Sequence, residues 1–196
     1  MPGMPKPSAT TSDEDLMLAY AQTGDMAAFE ALYTRQSLPM WRFVLRSVGD
    51  PSLADDIAQD TWFNVVRSAA SYVPKAKFKT WLFTLAHNRM VDVLRARKPQ
   101  VSLDAESEEG FELANTLAID SGFGPLQQVE HRQQAQALLD ALAELPEVQR
   151  EAFLLQAEAG LSLSEIAEAT GTNAETVKSR LRYARQKLRQ SLEALA

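Results

Sequence analysis

The sequence predicts an all-α fold, built as two small helical domains joined by a flexible acidic linker. Three observations lead there. Apolar residues recur at helical spacing from about Asp13 to Lys98, and again from about His131 to Leu195. No stretch alternates polar and apolar residues as a half-buried strand does. Between the two blocks, Pro99, Gly110, Gly122, Gly124 and Pro125 break the periodicity. The 196 residues suffice for two separate cores, and 45 % are hydrophobic, as in a folded chain.

The elements follow in order. Residues 1–12 carry three prolines, one glycine and several Ser and Thr, and read as a disordered tail. The first domain is 13–98. Pro39 sits inside an apolar stretch and predicts a kink or restart of its helix. Asp50-Pro51 predicts a helix start, with a capping side chain and a first-turn proline. Residues 99–130 form the linker. The second domain is 131–196. Gly160 predicts a helix stop. Ser162-x-x-Glu165 and Thr172-x-x-Glu175 both have the form of a capping box.

Charge is distributed unevenly. The net charge is −6, which taken alone argues against a nucleic-acid binder. Segment 75–98 nevertheless holds seven Lys or Arg against one acid, and segment 174–190 holds six against one. Between Lys98 and Arg132 lie seven acids and no Lys or Arg. Two basic blocks are thus separated by an acidic connector. The chain has no cysteine, so disulfides and thiolate metal sites are excluded. No apolar run is long enough to span a bilayer, and no signal pattern opens the chain. These features predict a cytoplasmic protein that does not insert into a membrane.

The last part of the chain has helix-turn-helix spacing. A short helix at 163–169 is followed by a turn with Gly171 and a long helix from about Asn173 to Gln190. Small Ala167 lets the two helices cross closely, Gly171 tolerates a left-handed turn, and Val177 packs the second helix on the first. At 100° per residue, Val177, Leu181, Ala184 and Leu188 form one buried stripe. Glu175, Lys178, Ser179, Arg182 and Gln186 fall opposite. Donors and acceptors of this kind suit base edges in a major groove, while Arg180, Arg185, Lys187 and Arg189 beside them suit phosphates.

Two helices of the first domain also present composite faces. Helix 51–69 buries Leu53, Ala54, Ile57, Ala58, Thr61, Trp62 and Val65. Asp55, Asp56, Gln59 and Phe63 gather on its other side, and Asp60 adds a further carboxylate. A Phe among carboxylates on an outer face predicts protein docking, with an apolar anchor and an acidic rim. The other reading is a solvated acidic face with one stray ring. Helix 78–97 buries Phe78, Leu82, Ala86, Met90 and Val93. Trp81, Asn88, Asp92 and Arg95 line its opposite side, and Lys75, Lys77 and Lys79 precede or surround Phe78. A ring on which bases stack, beside cations that track phosphates, suits a single strand. Trp81 can equally be a half-buried wedge against a neighbouring helix.

These residues match a family. Asp55-Asp56-Ile57-Ala58-Gln59-Asp60-Thr61-Trp62-Phe63 is followed by Phe78-Lys79-Thr80-Trp81-Leu82-Phe83-Thr84-Leu85-Ala86-His87-Asn88, then by Asp92, Leu94 and Arg95. Later come Leu142 to Pro146, Arg150-Glu151, Ile166-Ala167 and Thr176-Val177-Lys178-Ser179-Arg180-Leu181. The chain resembles the extracytoplasmic-function (group 4) sigma factors of bacterial RNA polymerase, over residues 13–98 and 132–192.

The resemblance implies a role without catalysis or cofactor. The first domain would be sigma region 2, whose Asp56, Gln59 and Phe63, flanked by Asp55 and Asp60, dock on the clamp of the polymerase largest subunit. Trp81, Asn88, Asp92 and Arg95, with Lys75, Lys77 and Lys79, would capture and hold open the promoter −10 strand. The second domain would be sigma region 4. Its Lys178, Ser179, Arg182 and Tyr183, with Glu175, Thr176 and Arg185 alongside, would read the −35 duplex, and it would touch the polymerase flap. Tyr183 stands where the family often has Arg, so the resemblance carries no −35 sequence. The linker would thread the RNA exit channel, and its residues could bridge roughly 100 Å. An anti-sigma factor is a further implied partner.

Two other classes compete. An autonomous repressor or activator would need an N-terminal sensor domain with a ligand pocket or dimer helix within 13–98. The acidic docking face and the Trp81 stripe speak against it. An enzyme acting on DNA would need a reactive cluster. His87 and His131 are the only histidines and lie in different domains, and no carboxylate set has metal-ligand spacing.

Overall fold

The computed structural model describes residues 11–97 and 135–193, so the linker and most of the tail lie outside the described residues. Every regular element among the described residues is helical. The N-terminal module comprises α1 (Asp13–Thr23), α2 (Met26–Val48), α3 (Pro51–Ser68), a 3-10 turn (Ala69–Ser71) and α4 (Phe78–Arg97). The C-terminal module comprises α5 (135–143), α6 (Glu147–Ala159), α7 (Leu163–Ala169) and α8 (Ala174–Glu193).

Local chemistry sets the ends of these helices. Residues 11 and 12, assigned above to the disordered tail, are instead held in place: the Ser12 side chain accepts from the Asp15 N–H and caps α1, and the Thr11 carbonyl accepts from Arg35 at 2.7 Å. A helix N-terminus leaves backbone N–H groups without intrahelical partners, and the Ser12 hydroxyl serves one of them. Asp25 caps α2 and Asp50 caps α3, the latter ahead of Pro51 as the sequence predicted. Pro39 neither ends nor restarts α2, which runs on through it. Met40, Phe43, Val44 and Leu45 are all buried beyond it, so packing outweighs the one lost hydrogen bond. The Ser162–Glu165 capping box forms. At α8, however, the capping side chain is Asn173, which accepts from the Thr176 N–H at 2.8 Å, and not Thr172.

The core of the N-terminal module is formed where α2, α3 and α4 meet, around Phe43, Ile57, Phe78, Leu82 and Phe83. The core of the C-terminal module holds Leu154, Leu155, Ile166, Val177 and Leu181. The two modules also pack on each other. Helix α6 lies against α2 and α4, and α7 lies against α4. Polar groups tie this seam. Arg46 pairs with Glu158, His87 Nδ1 lies 2.5 Å from Glu151 Oε1, and Arg150 donates to the Ser47 carbonyl at 3.1 Å. Burial, together with the neighbouring Arg42 guanidinium, lowers the Arg46 pKa from its ordinary value.

Candidate DNA and protein interfaces

The first surface is the outer face of α3. Its buried stripe is Leu53, Ala54, Ile57, Ala58, Thr61, Trp62 and Val65, the same seven that periodicity selects. Asp55, Asp56, Gln59 and Phe63 are therefore turned outward and exposed, Phe63 by 56 %. Asp55 accepts from the Trp41 indole N–H at 2.7 Å. Asp60 accepts from Arg89 Nε at 2.8 Å and pairs with its Nη2 at 2.6 Å. These two carboxylates are thus partly committed within the module. Asp56, Gln59 and Phe63 are left facing solvent.

Phe63 also edges a groove of about 540 Å³ between α2 and α3. Tyr33, Leu38, Trp41 and Trp62 line it with Phe63. Tyr33 and Leu38 are exposed apolar side chains that sequence reasoning did not select. Their signal was available, because Tyr33, Ser37 and Trp41 recur at i, i+4 and i+8 beside the buried stripe of α2. The face is thus wider than one helix: an acidic rim on α3 beside an apolar trough.

The second surface belongs to α4 and the loop before it. Glu14 Oε1 accepts from the Phe78 N–H at 2.6 Å, so a carboxylate from α1 serves the first turn of α4. Phe78, Leu82, Ala86 and Met90 are buried as predicted, with Thr80 and Phe83 in addition, while Val93 is half-buried. Trp81 is half-buried too. Its ring lies 5.0 Å from that of Tyr72 and 5.8 Å from that of Phe78, both tilted. Trp81 is therefore a half-buried wedge against neighbouring rings, the second of the two readings of its sequence position.

Tyr72 was not foreseen, since it lies in the connection between the 3-10 turn and α4, outside either helical period. Burial, reinforced by the Glu14 and Asp13 carboxylates, pushes its phenol up to about 12, so it stays neutral. Along the outer side of α4, Asn88, Asp92 and Arg95 are exposed. Lys75 is exposed as well. Lys77 and Lys79 are engaged by the C-terminal module: Lys77 Nζ is 3.0 Å from Glu165 Oε1, and Lys79 Nζ is 3.5 Å from the Ala159 carbonyl.

The third surface is the outer side of α8. Gly171 has φ of 62° and turns the chain between α7 and α8. Val177, Leu181, Ala184 and Leu188 are buried, and Glu175, Lys178, Ser179, Arg182, Tyr183 and Arg185 are exposed. Thr176 is half-buried at the helix start. The Arg182 guanidinium sits 4.9 Å from the centre of the Tyr183 ring. Lys178 lies 3.7 Å from Glu175, a loose pair that water screens. Arg185 donates to the Gln156 side chain at 2.6 Å, which steadies α8 on α6. Glu165, at the start of α7, is held at about 2 by the Ser162 hydroxyl and N–H, and then by Lys77.

An all-helical chain with a helix-turn-helix at one end and an aromatic, amide and cation stripe at the other belongs to the class of DNA-binding proteins of transcription. Comparison with known proteins narrows this. Residues 32–100 match the Sigma-70 region 2 family, and residues 135–188 match Sigma-70, region 4. The chain is 34 % identical over 173 residues to the ECF RNA polymerase sigma factor SigK of Mycobacterium sp. (strain KMS), covering 88 % of this chain and 86 % of that one. It is 33 % identical over 181 residues to the RNA polymerase sigma factor CnrH of Cupriavidus metallidurans, covering 91 % and 94 %. In fold it is similar to CnrH solved in complex with the cytosolic domain of CnrY, with a TM-score of 0.64 over 94 % of this chain and 100 % of that one. It is also similar to the sigma factor RpoE of Bartonella quintana, solved with the anti-sigma factor NepR, with a TM-score of 0.66 over 84 % and 96 %. The chain belongs to the extracytoplasmic-function RNA polymerase sigma factors of the sigma-70 family.

Proposed function

We propose that this sigma factor binds core RNA polymerase through the α3 face and gives the enzyme a two-part promoter address. Residues 13–98 act as region 2, 131–196 as region 4, and 99–130 as the connector between them. Asp56, Gln59 and Phe63, with Asp55 and Asp60 beside them, form the surface for the largest-subunit clamp. Trp81, Asn88, Asp92, Arg95 and the lysine loop hold the −10 strand. Lys178, Ser179, Arg182 and Tyr183 read the −35 duplex, with Glu175, Thr176 and Arg185 around them.

The observation that carries this reading is the exposure of three differently built faces on one chain. One is acidic with an apolar anchor, one aromatic with cations, and one a recognition helix. An acidic face repels DNA and suits a protein, while the other two suit a strand and a duplex. The chemistry is binding alone. Melted DNA is trapped by stacking, with no bond made or broken by this chain. The factor works in the cytoplasm, where the polymerase is, and no described helix is long and apolar enough to cross a membrane. Since CnrH and RpoE were each solved with a partner protein, CnrY and the anti-sigma factor NepR, an anti-sigma protein is the natural regulator of this chain as well.

In vitro transcription tests the proposal. Core polymerase with this chain, run on a library of promoter fragments, is expected to start at sites that share paired −35 and −10 motifs. Start sites with no shared motif, or the same sites with polymerase alone, would refute it.

A further inference from the structure

Helix α8 carries two consecutive exposed side chains that touch each other. The Arg182 guanidinium lies 4.9 Å from the centre of the Tyr183 ring, and its Nη2 donates to the Tyr183 hydroxyl at 3.2 Å. Other cations of that helix are engaged differently: Lys178 lies beside the Glu175 carboxylate, and Arg185 donates to the Gln156 side chain. Arg182 is steadied by a ring and a phenol and forms no ion pair among the described residues. We propose that Tyr183 is a positioning residue, which holds the Arg182 guanidinium ready to fork onto a guanine of the −35 duplex. This rests on the reading of α8 as the −35 helix.

A guanidinium carries its N–H donors in one plane, and the Tyr183 hydroxyl accepts from one of them. The others stay free for the O6 and N7 acceptors, which guanine alone presents side by side in the major groove. The kind of partner matters. A carboxylate would order the arginine and also compete with DNA for its charge. An aromatic ring orders it and leaves the charge uncancelled. An exposed arginine gives up rotamer freedom when it binds, and one ordered beforehand gives up less. Successive residues leave a helix about 100° apart, so the ring reaches the guanidinium from the side, and Arg182 stays exposed. Val177, Leu181, Ala184 and Leu188, buried on the other side of α8, fix the helix that carries the pair.

The full chain with core polymerase, run on a promoter library randomised across the −35 element, gives the base preference at every position. Arg182→Ala locates the guanine: the wild type is expected to prefer guanine there roughly tenfold, and the variant to lose that preference. Tyr183→Ala is expected to cut it to about twofold or threefold, at the same position and at no other. Tyr183→Phe keeps the ring and loses the acceptor, so its preference should fall between. Once Arg182→Ala is present, adding Tyr183→Ala should change nothing more at that position.

An unchanged guanine preference in Tyr183→Ala would overturn the proposal. So would a loss at a different position, which would mean that Tyr183 reads a base of its own. An equal loss at all positions would mean a damaged helix and would overturn it too, as would an Arg182→Ala effect on a base other than guanine. Tyr183 is 50 % exposed and stands off the buried stripe, so the fold should survive its loss. If Tyr183→Ala nevertheless melts early, Tyr183→Phe decides alone, and a guanine preference equal to that of the wild type would be the refuting result. A wild-type enzyme with no preferred base anywhere in the −35 element would refute the reading of α8 itself, and the proposal with it. The other failures leave that reading standing, so the two stay distinct.

Discussion

Phe63 is an apolar ring kept in water by a helix whose other face is fully used, and single side chains of this sort set the strength of docking. Phe63→Ala is expected to weaken polymerase binding by about 2 kcal/mol, the size of an anchor residue at an interface. Its 56 % exposure means the melting temperature should barely move. Competition between wild type and variant for core polymerase, beside a thermal melt, checks both halves. Trp81 should behave differently, because it packs on Tyr72 and Phe78 as well as facing outward. Trp81→Ala is expected to lower the melt and to lose about 1–3 kcal/mol of strand binding, while Trp81→Tyr keeps most of both. Permanganate footprinting of the opened promoter measures the second effect. Glu165 gives a pH signature. Its carboxyl is held at about 2, below the ordinary 4.5, so its stabilising effect is complete above pH 4.5 and disappears as pH falls through 2. Melts from pH 6 to pH 2 should show wild type more stable than Glu165→Gln near neutrality, with the gap closing in acid.

At the scale of elements, the helix-turn-helix depends on a few backbone decisions. Gly171 holds φ of 62° with nothing within 4 Å of where a Cβ would stand. Gly171→Ala should therefore cost only the left-handed backbone, about 1–2 kcal/mol, with no clash added. Gly171→Asn should cost less. Denaturant melts of the three proteins order them. The same elements show what sequence could and could not disclose. The buried stripes of α3 and α8 were legible because a 3.6-residue period reports which side of a helix is apolar, and each helix has one buried side. Asp50-Pro51, Gly160 and the Ser162 box were legible because caps are local. Asn173 took the place of Thr172 because both are good capping residues and only the turn geometry selects one. Ser12 escaped notice because it closes a Pro-rich stretch. Glu14 on Phe78, Tyr72 beside Trp81 and His87 against Glu151 were not legible at all. The first and last join residues 64 apart, and periodicity within one helix says nothing about such partners.

For the whole molecule, the deciding quantity is where the charge lies. With a net of −6, the chain as a whole is repelled by DNA, and only two patches attract it. Each patch taken alone resembles a non-specific binder, for which dissociation constants of roughly 10⁻⁴–10⁻⁶ M are usual at physiological salt. The two modules pack on each other, with Lys77 and Lys79 in contact with Glu165 and the Ala159 carbonyl. Docking on polymerase changes the arithmetic without any new DNA contact. Once both modules are fixed on one carrier at the promoter spacing, the second contact becomes intramolecular, and linkage of this kind raises affinity by roughly 10²–10⁴. The free chain should therefore bind a promoter duplex weakly, with an affinity that falls steeply as salt rises. Core polymerase should raise the affinity by at least about 10². Anisotropy titrations of one labelled promoter fragment, with and without core enzyme and at two salt concentrations, measure both terms. Tight, salt-resistant binding by the chain alone would mean that its patches already act together without a carrier, and the division of labour between factor and polymerase argued here would fail.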